Sequence, residues 1–215
     1  VTVLLAGATG LVGGKVLAGL LANGHAVFSI GRRPSGVVHP QLTEAQVDFA
    51  ALAPFPRADT AICALGTTMA AAGSRTAFRA VDHDAVLAFF REAHRAGAAR
   101  AILVTAVGSD PHATAFYSRV KGEVEIAVEA IGFERLDIIR PGLILGERAE
   151  RRPMESLMQR VAPVLNPLLV GGLAQFGAIS AETIANAIIV LCERPGSGLH
   201  SHGNLQLRQL VLEMR

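Results

Sequence analysis

The sequence predicts an α/β fold built on a doubly wound parallel sheet, flanked by helices and closed by a small C-terminal cap on the substrate side. Three observations lead there. Short apolar runs alternate with segments whose apolar residues recur at helical spacing. The first run leads straight into a glycine-rich turn and then a helix. The chain is 51% hydrophobic and 18% charged, enough for one large core and too apolar for disorder.

Each element follows from its residues. Val1–Ala6 is an unbroken apolar run, as expected of a strand covered on both faces. It lacks a basic start and ends in a glycine turn, so it reads as a first strand rather than a signal sequence. Leu11–Asn23 places Leu11, Val12, Val16, Leu20 and Leu21 at helical spacing, and Gly24 ends that helix. Ala26–Ile30 is a second strand, and a short third strand is expected around Ala45–Phe49. Pro54 and Pro56 mark a loop, and Thr60–Leu65 is a fourth strand ended by Gly66. Ser74 caps a long helix to about Ala96, with Phe78, Val81, Val86, Phe89 and Phe90 on its buried side. Ala101–Val104 is a fifth strand, followed by a loop over Thr105–Ala115 and a helix over Phe116–Ile131. Phe133–Ile139 is a sixth strand, closed by Arg140-Pro141-Gly142. After Gly146 the alternation breaks. The remainder offers a helix around Met154–Val164, a Pro/Gly-rich apolar loop, a helix over Glu182–Glu193 capped by Ser180, and a terminal piece from Asn204.

Several function classes are excluded. A net charge of +2 with no dense Lys/Arg block argues against nucleic acid. The tightest basic cluster, Arg148, Arg151 and Arg152, is interleaved with Glu147 and Glu150 and reads as a solvated loop. Val161–Ala181 carries no charge, but Pro163, Asn166, Pro167, Gly171 and Gly172 make it a poor membrane span. Its apolar stretch over 161–177 suits a roof over a substrate cleft. Cys63 and Cys192 sit in apolar runs and read as buried, reduced thiols of a cytoplasmic protein. No Cys, His or acid stands at a metal-ligand spacing, so no metal is expected. His112 borders the expected substrate entrance, and His200 and His202 alternate as in an exposed strand.

Gly7-Ala8-Thr9-Gly10-Leu11-Val12-Gly13 joins the first strand to the first helix, the context a dinucleotide-binding turn requires. Its glycines permit a tight turn and let backbone amides approach a pyrophosphate at the positive end of the helix. At the end of the second strand, NAD-selective sites usually place an acid to bond the ribose hydroxyl. This chain has Arg32 and Arg33 instead, which attract a 2′-phosphate. NADP(H) is therefore the expected cofactor, with Arg32 the first choice of partner and Arg33 the second. A single domain is expected, with a cofactor-binding core over 1–146 and a dependent substrate-side part over 147–215.

Tyr117 is the only tyrosine, and Lys121 is one of two lysines in an arginine-biased chain. Four residues apart on a helix, they share a face. A phenol beside a compact ammonium makes a proton donor, because the cation favours phenolate. The pair points to a nicotinamide-dependent carbonyl reduction in which Tyr117 protonates the substrate oxygen.

The chain resembles the short-chain dehydrogenase/reductase superfamily in its extended or atypical branch. The glycine turn, Asp48-Phe49, the Tyr117–Lys121 pair and Arg140-Pro141-Gly142 carry the likeness in order. Within that superfamily it is most similar to the Tat-interacting-protein-type oxidoreductases and their bacterial relatives. Cys63-Ala64-Leu65-Gly66-Thr67-Thr68, Val81-Asp82, Gly108-Ser109-Asp110-Pro111 and the stretch Phe116–Glu125 carry that closer likeness. The resemblance implies that Asp48 accepts from the adenine amino group, with Phe49 against the ring. It implies that Ala64, Leu65 and Gly66 line the ribose and pyrophosphate, and that Pro141, Gly142, Leu143 and Ile144 run beside the nicotinamide. Lys121 would also bond the nicotinamide ribose. Relatives carry two adjacent serines after the fifth strand, where this chain reads Thr105-Ala106, so Thr105 or Ser109 would polarise the substrate oxygen. The resemblance further implies a homodimer across the helices at 74–96 and 116–131.

Three functions compete. The first is an NADP(H)-dependent oxidoreductase acting on a small carbonyl-type molecule. The second is an NADP(H)-binding regulator or scaffold with little turnover, which Ala106 favours. The third, epimerase or dehydratase chemistry on a nucleotide sugar, ranks last because the C-terminal third leaves little room for a sugar-nucleotide domain.

Overall fold

The computed structural model describes residues 1–146 and 177–213. Seven parallel strands form the central sheet: β1 (Thr2–Ala6), β2 (Ala26–Gly31), β3 (Leu42–Gln46), β4 (Thr60–Cys63), β5 (Arg100–Val104), β6 (Arg135–Ile139) and, at one edge, β9 (Gly198–His202). Their order is β3-β2-β1-β4-β5-β6-β9, a Rossmann topology. The order reverses between β1 and β4, and that reversal opens a crevice at the carboxyl ends of the strands.

Two-residue alternation along the strands builds two cores. On one face, Val3, Leu5, Ile62, Ile102 and Ile139 pack against α1 (Leu11–Ala22) and α6 (Ala181–Glu193). On the other, Leu4, Ala6, Cys63, Leu103 and Ile138 pack against α4 (Val86–Arg95) and α5 (Phe116–Glu129). The fully buried Phe89 and Phe90 anchor the second core. Burying such a ring stabilises the fold by roughly 1.5–3 kcal/mol.

The long helix begins as expected, with the Ser74 hydroxyl accepting from the Ala77 N–H at 3.1 Å. It runs through α3 (Arg75–Arg79), a π-turn over Ala80–Ala85, and α4 without leaving right-handed backbone geometry. A four-residue helix, α2 (Met69–Ala72), precedes it. Two further short strands, β7 (Leu143–Leu145) and β8 (Ala178–Ser180), pair in parallel outside the central sheet. The last helix is α7 (Asn204–Leu212).

The third strand lies earlier than the sequence suggests, at Leu42–Gln46, because register with Val27–Gly31 fixes it and leaves Asp48-Phe49 beyond its end. Strand β4 stops at Cys63, so Ala64 and Leu65 belong to the following loop. The βα rhythm resumes after residue 177: α6 fills the layer beside α1, and β9 extends the sheet. Residues 181–202 thus add a helix to the core and an edge strand to the sheet. The helix expected at 154–164 and the apolar roof at 161–177, save its final glycine, lie outside the described residues. His200 and His202 do sit on a strand, but the His202 ring is half-buried and 2.7 Å from the buried Asp137 carboxylate. No helix among the described residues is long and apolar enough to cross a membrane.

Candidate active site

The site starts where β1 ends. Gly7 has φ +93°, and a Cβ there would lie 2.6 Å from the Ala64 carbonyl, so no side chain fits where the turn meets the end of β4. A Cβ at Gly13 would lie 2.1 Å from the Gly7 oxygen. The Gly10 N–H donates to that oxygen at 2.9 Å, and Gly10 caps α1 without a side-chain bond. The first N–H groups of α1 therefore receive no side-chain bond from the capping residue. Ala8 and Val12 point inward, while Thr9 and Gly10 are exposed and Leu11 is half-buried.

Beside this turn, Arg32 and Arg33 follow β2, both exposed and without an acidic partner among the described residues. Asp48 is exposed, and one of its oxygens accepts from the Ala50 N–H at 2.9 Å. Phe49 is half-buried against the second core, as is Leu65. Ala64 is held to β1 by its N–H donating to the Ala6 oxygen at 2.9 Å, and Gly66 beyond it is exposed.

On α5, Tyr117 lies in the first turn, 38% exposed, its ring 5.5 Å from that of Phe78. One turn on, Lys121 is buried, and its Nζ lies 2.7 Å from Asp82 Oδ1 in the π-turn. The other Asp82 oxygen accepts from the Thr67 N–H at 2.8 Å. The ammonium expected beside the phenol is thus also paired with a buried carboxylate. Another turn on, the buried Glu125 accepts from the Thr105 hydroxyl at 2.6 Å and from Arg140 Nε at 3.0 Å and Nη2. Those hydrogen bonds to Glu125 hold the Arg140 guanidinium above its ordinary range, against the effect of burial.

Neither hydroxyl expected to polarise a substrate is free. That of Thr105 is turned into the Glu125 network, and that of Ser109 donates to the Ala106 oxygen at 2.7 Å. The loop carrying Ser109 lies directly on α5. A Cβ at Gly122 would sit 2.2 Å from Pro111 N, and the Asp110 N–H donates to the Ser118 oxygen at 3.1 Å.

The segment after β6 returns across the opening. Pro141 is buried and its oxygen accepts from the Val107 N–H at 2.9 Å. The Gly142 N–H donates to Asn204 Oδ1 at 3.0 Å, and the Asn204 amide donates to the Gly177 oxygen at 2.7 Å. Leu143 and Ile144 are half-buried in β7, and Gly146 comes against the Leu11 side chain at the head of α1. The glycine turn, the Ala64–Gly66 loop, Lys121 and the Pro141–Ile144 segment therefore share one edge of the sheet.

Three residues of this site carry no role in the sequence reading: Asp82, Glu125 and Asn204. Asp82 left a signal, an acid on the apolar stripe between Phe78 and Val86. Glu125 left another, four residues beyond Lys121. Asn204 looked only like the start of a terminal piece. Cys63 lies within the site's inner wall, where burial pushes its thiol up to about 12, which fits a packing role.

No family model matches the chain. The mitochondrial protein fmp52 of Emericella nidulans is 35% identical over 202 residues, 86% of each chain. HTATIP2 of Rattus norvegicus is 33% identical over 208 residues, 92% of this chain and 83% of its own. The chain belongs to the FMP52/HTATIP2 family. The likeness to Tat-interacting-protein-type proteins thus holds across the chain. The human epimerase family protein SDR39U1, solved with NADPH, shares the fold with a TM-score of 0.66 at 19% identity, over 94% of this chain and 74% of that one. The family corrects the cytoplasmic expectation, since its fungal members are named as mitochondrial proteins. Two buried thiols say only that the fold needs no disulfide, and that does not separate one reducing compartment from another.

Proposed function

We propose that this FMP52/HTATIP2-family chain is an NADP(H)-dependent oxidoreductase that reduces a small carbonyl-type compound, with Tyr117 as the proton donor. One observation carries the reading: an exposed phenol stands one helical turn from a buried, fixed ammonium, at the same sheet edge as a turn that admits no Cβ. The tight turn that Gly7 and Gly13 permit would let a dinucleotide's pyrophosphate approach the first N–H groups of α1. Arg32 and Arg33, free of acidic partners among the described residues, suit a 2′-phosphate. Asp48 retains an oxygen for the adenine amino group. The bound nicotinamide would supply the hydride. Tyr117 would deliver the proton to the substrate oxygen, and Lys121 would present its remaining N–H donors to ligand hydroxyls. For Ser109 to polarise the substrate, its hydroxyl must first leave the Ala106 oxygen.

That last requirement favours a second reading, an NADP(H)-binding regulator with little turnover, because Thr105 and Ser109 are both engaged and Ala106 offers no hydroxyl. The two readings separate in one experiment. NADPH affinity is measured by its fluorescence for wild type and Tyr117→Phe, and both are screened against carbonyl compounds. The reductase reading expects equal affinity with turnover reduced about 100-fold or more in the variant. Equal affinity with no Tyr117-dependent turnover on any substrate refutes it and leaves the regulator. The outer face of the α3–α5 region, where Ile126 is 54% exposed, is the proposed homodimer surface. Light scattering of wild type and Ile126→Lys tests it.

A further inference from the structure

Asp82 has no part in the chemistry proposed above, and its setting is unusual. It is fully buried at mid-helix, on a stripe whose neighbours Phe78 and Val86 belong to the core. Helix packing alone gives no reason for an acid there, and a buried carboxylate is unfavourable unless its oxygens find donors. One does: Oδ2 accepts from the Thr67 N–H at 2.8 Å, while Oδ1 is held by charge, ion-paired with Lys121 Nζ at 2.7 Å outside hydrogen-bond geometry. The residue lies within the π-turn, where one extra residue in the helical turn re-aims the side chains it carries. The backbone of Gly66 lies over the pair, since a Cβ there would be 3.4 Å from Asp82 Oδ1 and 3.7 Å from Lys121 Nζ.

We infer that Asp82 is a positioning residue that sets the Lys121 ammonium and the loop after β4 as one unit. Both of its neighbours are donors, so the position needs two acceptors. Aspartate supplies them; asparagine supplies one and turns its own N–H₂ toward a donor. Losing the carboxylate also leaves a buried ammonium unpaired. The consequence reaches any ligand that spans the Ala64–Thr67 loop and Lys121, because both surfaces are referenced to the same side chain. The inference rests on the oxidoreductase reading for its effect on turnover, but its effect on NADPH binding stands apart from turnover.

The test is a double-mutant cycle with Asp82→Asn, Lys121→Met and the double variant, read first by NADPH dissociation constants. Each single variant is expected to bind about tenfold more weakly, the equivalent of one charge-assisted hydrogen bond. The double variant is expected to lose less than the sum of the two single losses, since part of the Asp82 effect runs through Lys121 and the rest through the Thr67 loop. In steady-state assays KM for NADPH rises while KM for the carbonyl substrate stays unchanged, a split that general loosening of the fold would not produce. The Thr67 amide resonance shifts and loses exchange protection in Asp82→Asn but not in Lys121→Met. Additive losses overturn the inference, as does an Asp82→Asn protein with wild-type affinity and an unmoved Thr67 amide. If Asp82→Asn does not fold, the double variant still decides: a Thr67 amide and an NADPH affinity both unchanged from Lys121→Met overturn the inference. A wild type that binds NADPH but turns over nothing sinks the reductase reading and leaves the cycle intact; a wild type that does not bind NADPH overturns both.

Discussion

Gly122→Ala isolates the contact between the loop after β5 and α5. In isolation the change should help, because alanine is favoured over glycine in a helix interior by about 1 kcal/mol. Here the added Cβ would lie 2.2 Å from Pro111 N, 2.3 Å from the Asp110 carbonyl carbon and 2.7 Å from Asp110 Cα. All three are backbone atoms and cannot rotate away. The loop and the helix must separate by roughly 1 Å to restore ordinary contact. Overpacking of this kind costs about 1–3 kcal/mol. The separation also weakens the Asp110 N–H to Ser118 oxygen bond, a further loss of about 1 kcal/mol. Set against the helix gain, the net loss is about 1–3 kcal/mol. For a chain of this size that lowers the melting temperature by roughly 2–4 °C per kcal/mol. Thermal unfolding followed by circular dichroism reads the shift. The moved loop carries Ser109 while the glycine turn after β1 is untouched, so turnover should fall with NADPH affinity unchanged. A melting temperature equal to or above wild type would refute the reasoning, because propensity would then have outweighed the contact.

Two further outcomes are expected. Replacing Arg32 and Arg33 together with alanine should weaken NADPH about 10–100-fold, the scale of one or two lost charge-assisted bonds, and leave NADH nearly unchanged; parallel titrations of the two cofactors check this, and equal losses for both would argue against a 2′-phosphate contact. Asp137 supplies an acid-dependent component of stability. Burial pushes its carboxyl up, but hydrogen bonds from His202 and Arg135 outweigh this and hold it below its ordinary value. A carboxylate depressed in the folded state stabilises above its unfolded pKa of about 3.9 and loses that contribution as pH falls through the folded value. Stability measured by denaturant from pH 7 to pH 2 should therefore fall less steeply below about pH 4 in Asp137→Asn than in wild type.

The fold was legible because parallel strands buried on both faces are written as apolar runs, and the glycine turn fixes where the first of them ends. Boundaries were less so. Gln46 and Phe49 look equally strand-like, and only the register with β2 decides that β3 ends at Gln46. The alternation of His200 and His202 marked an exposed strand, but its place at the edge of the central sheet was not legible, because Gly198–His202 lacks the apolar run that marked the inner strands. Within the site, the residues whose backbone matters were readable, since a glycine that admits no Cβ can be nothing else. The hydroxyls were not. Whether Thr105 faces a substrate or Glu125 depends on a side chain 20 residues away that meets it only after α5 docks.

Lys121 shows how a pair that is readable from spacing changes meaning in three dimensions. Spacing alone made it the electrostatic neighbour of Tyr117. In the fold its ammonium rests 2.7 Å from a carboxylate, and a cation seated on an anion projects little field beyond the pair. What it still offers is direction: a compact group whose N–H donors are not used up by the ion pair with Asp82. Lys121→Arg separates the two accounts. Arginine keeps the positive charge and can still satisfy Asp82, but its planar fork spreads the donors over a wider span in a buried space shaped for an ammonium. If charge were the contribution, the arginine variant would keep its turnover. If geometry is, kcat should fall at least about tenfold, the loss of one transition-state hydrogen bond, in a protein whose folded spectrum is unchanged. Turnover within about twofold of wild type would return the lysine to the role its spacing first suggested.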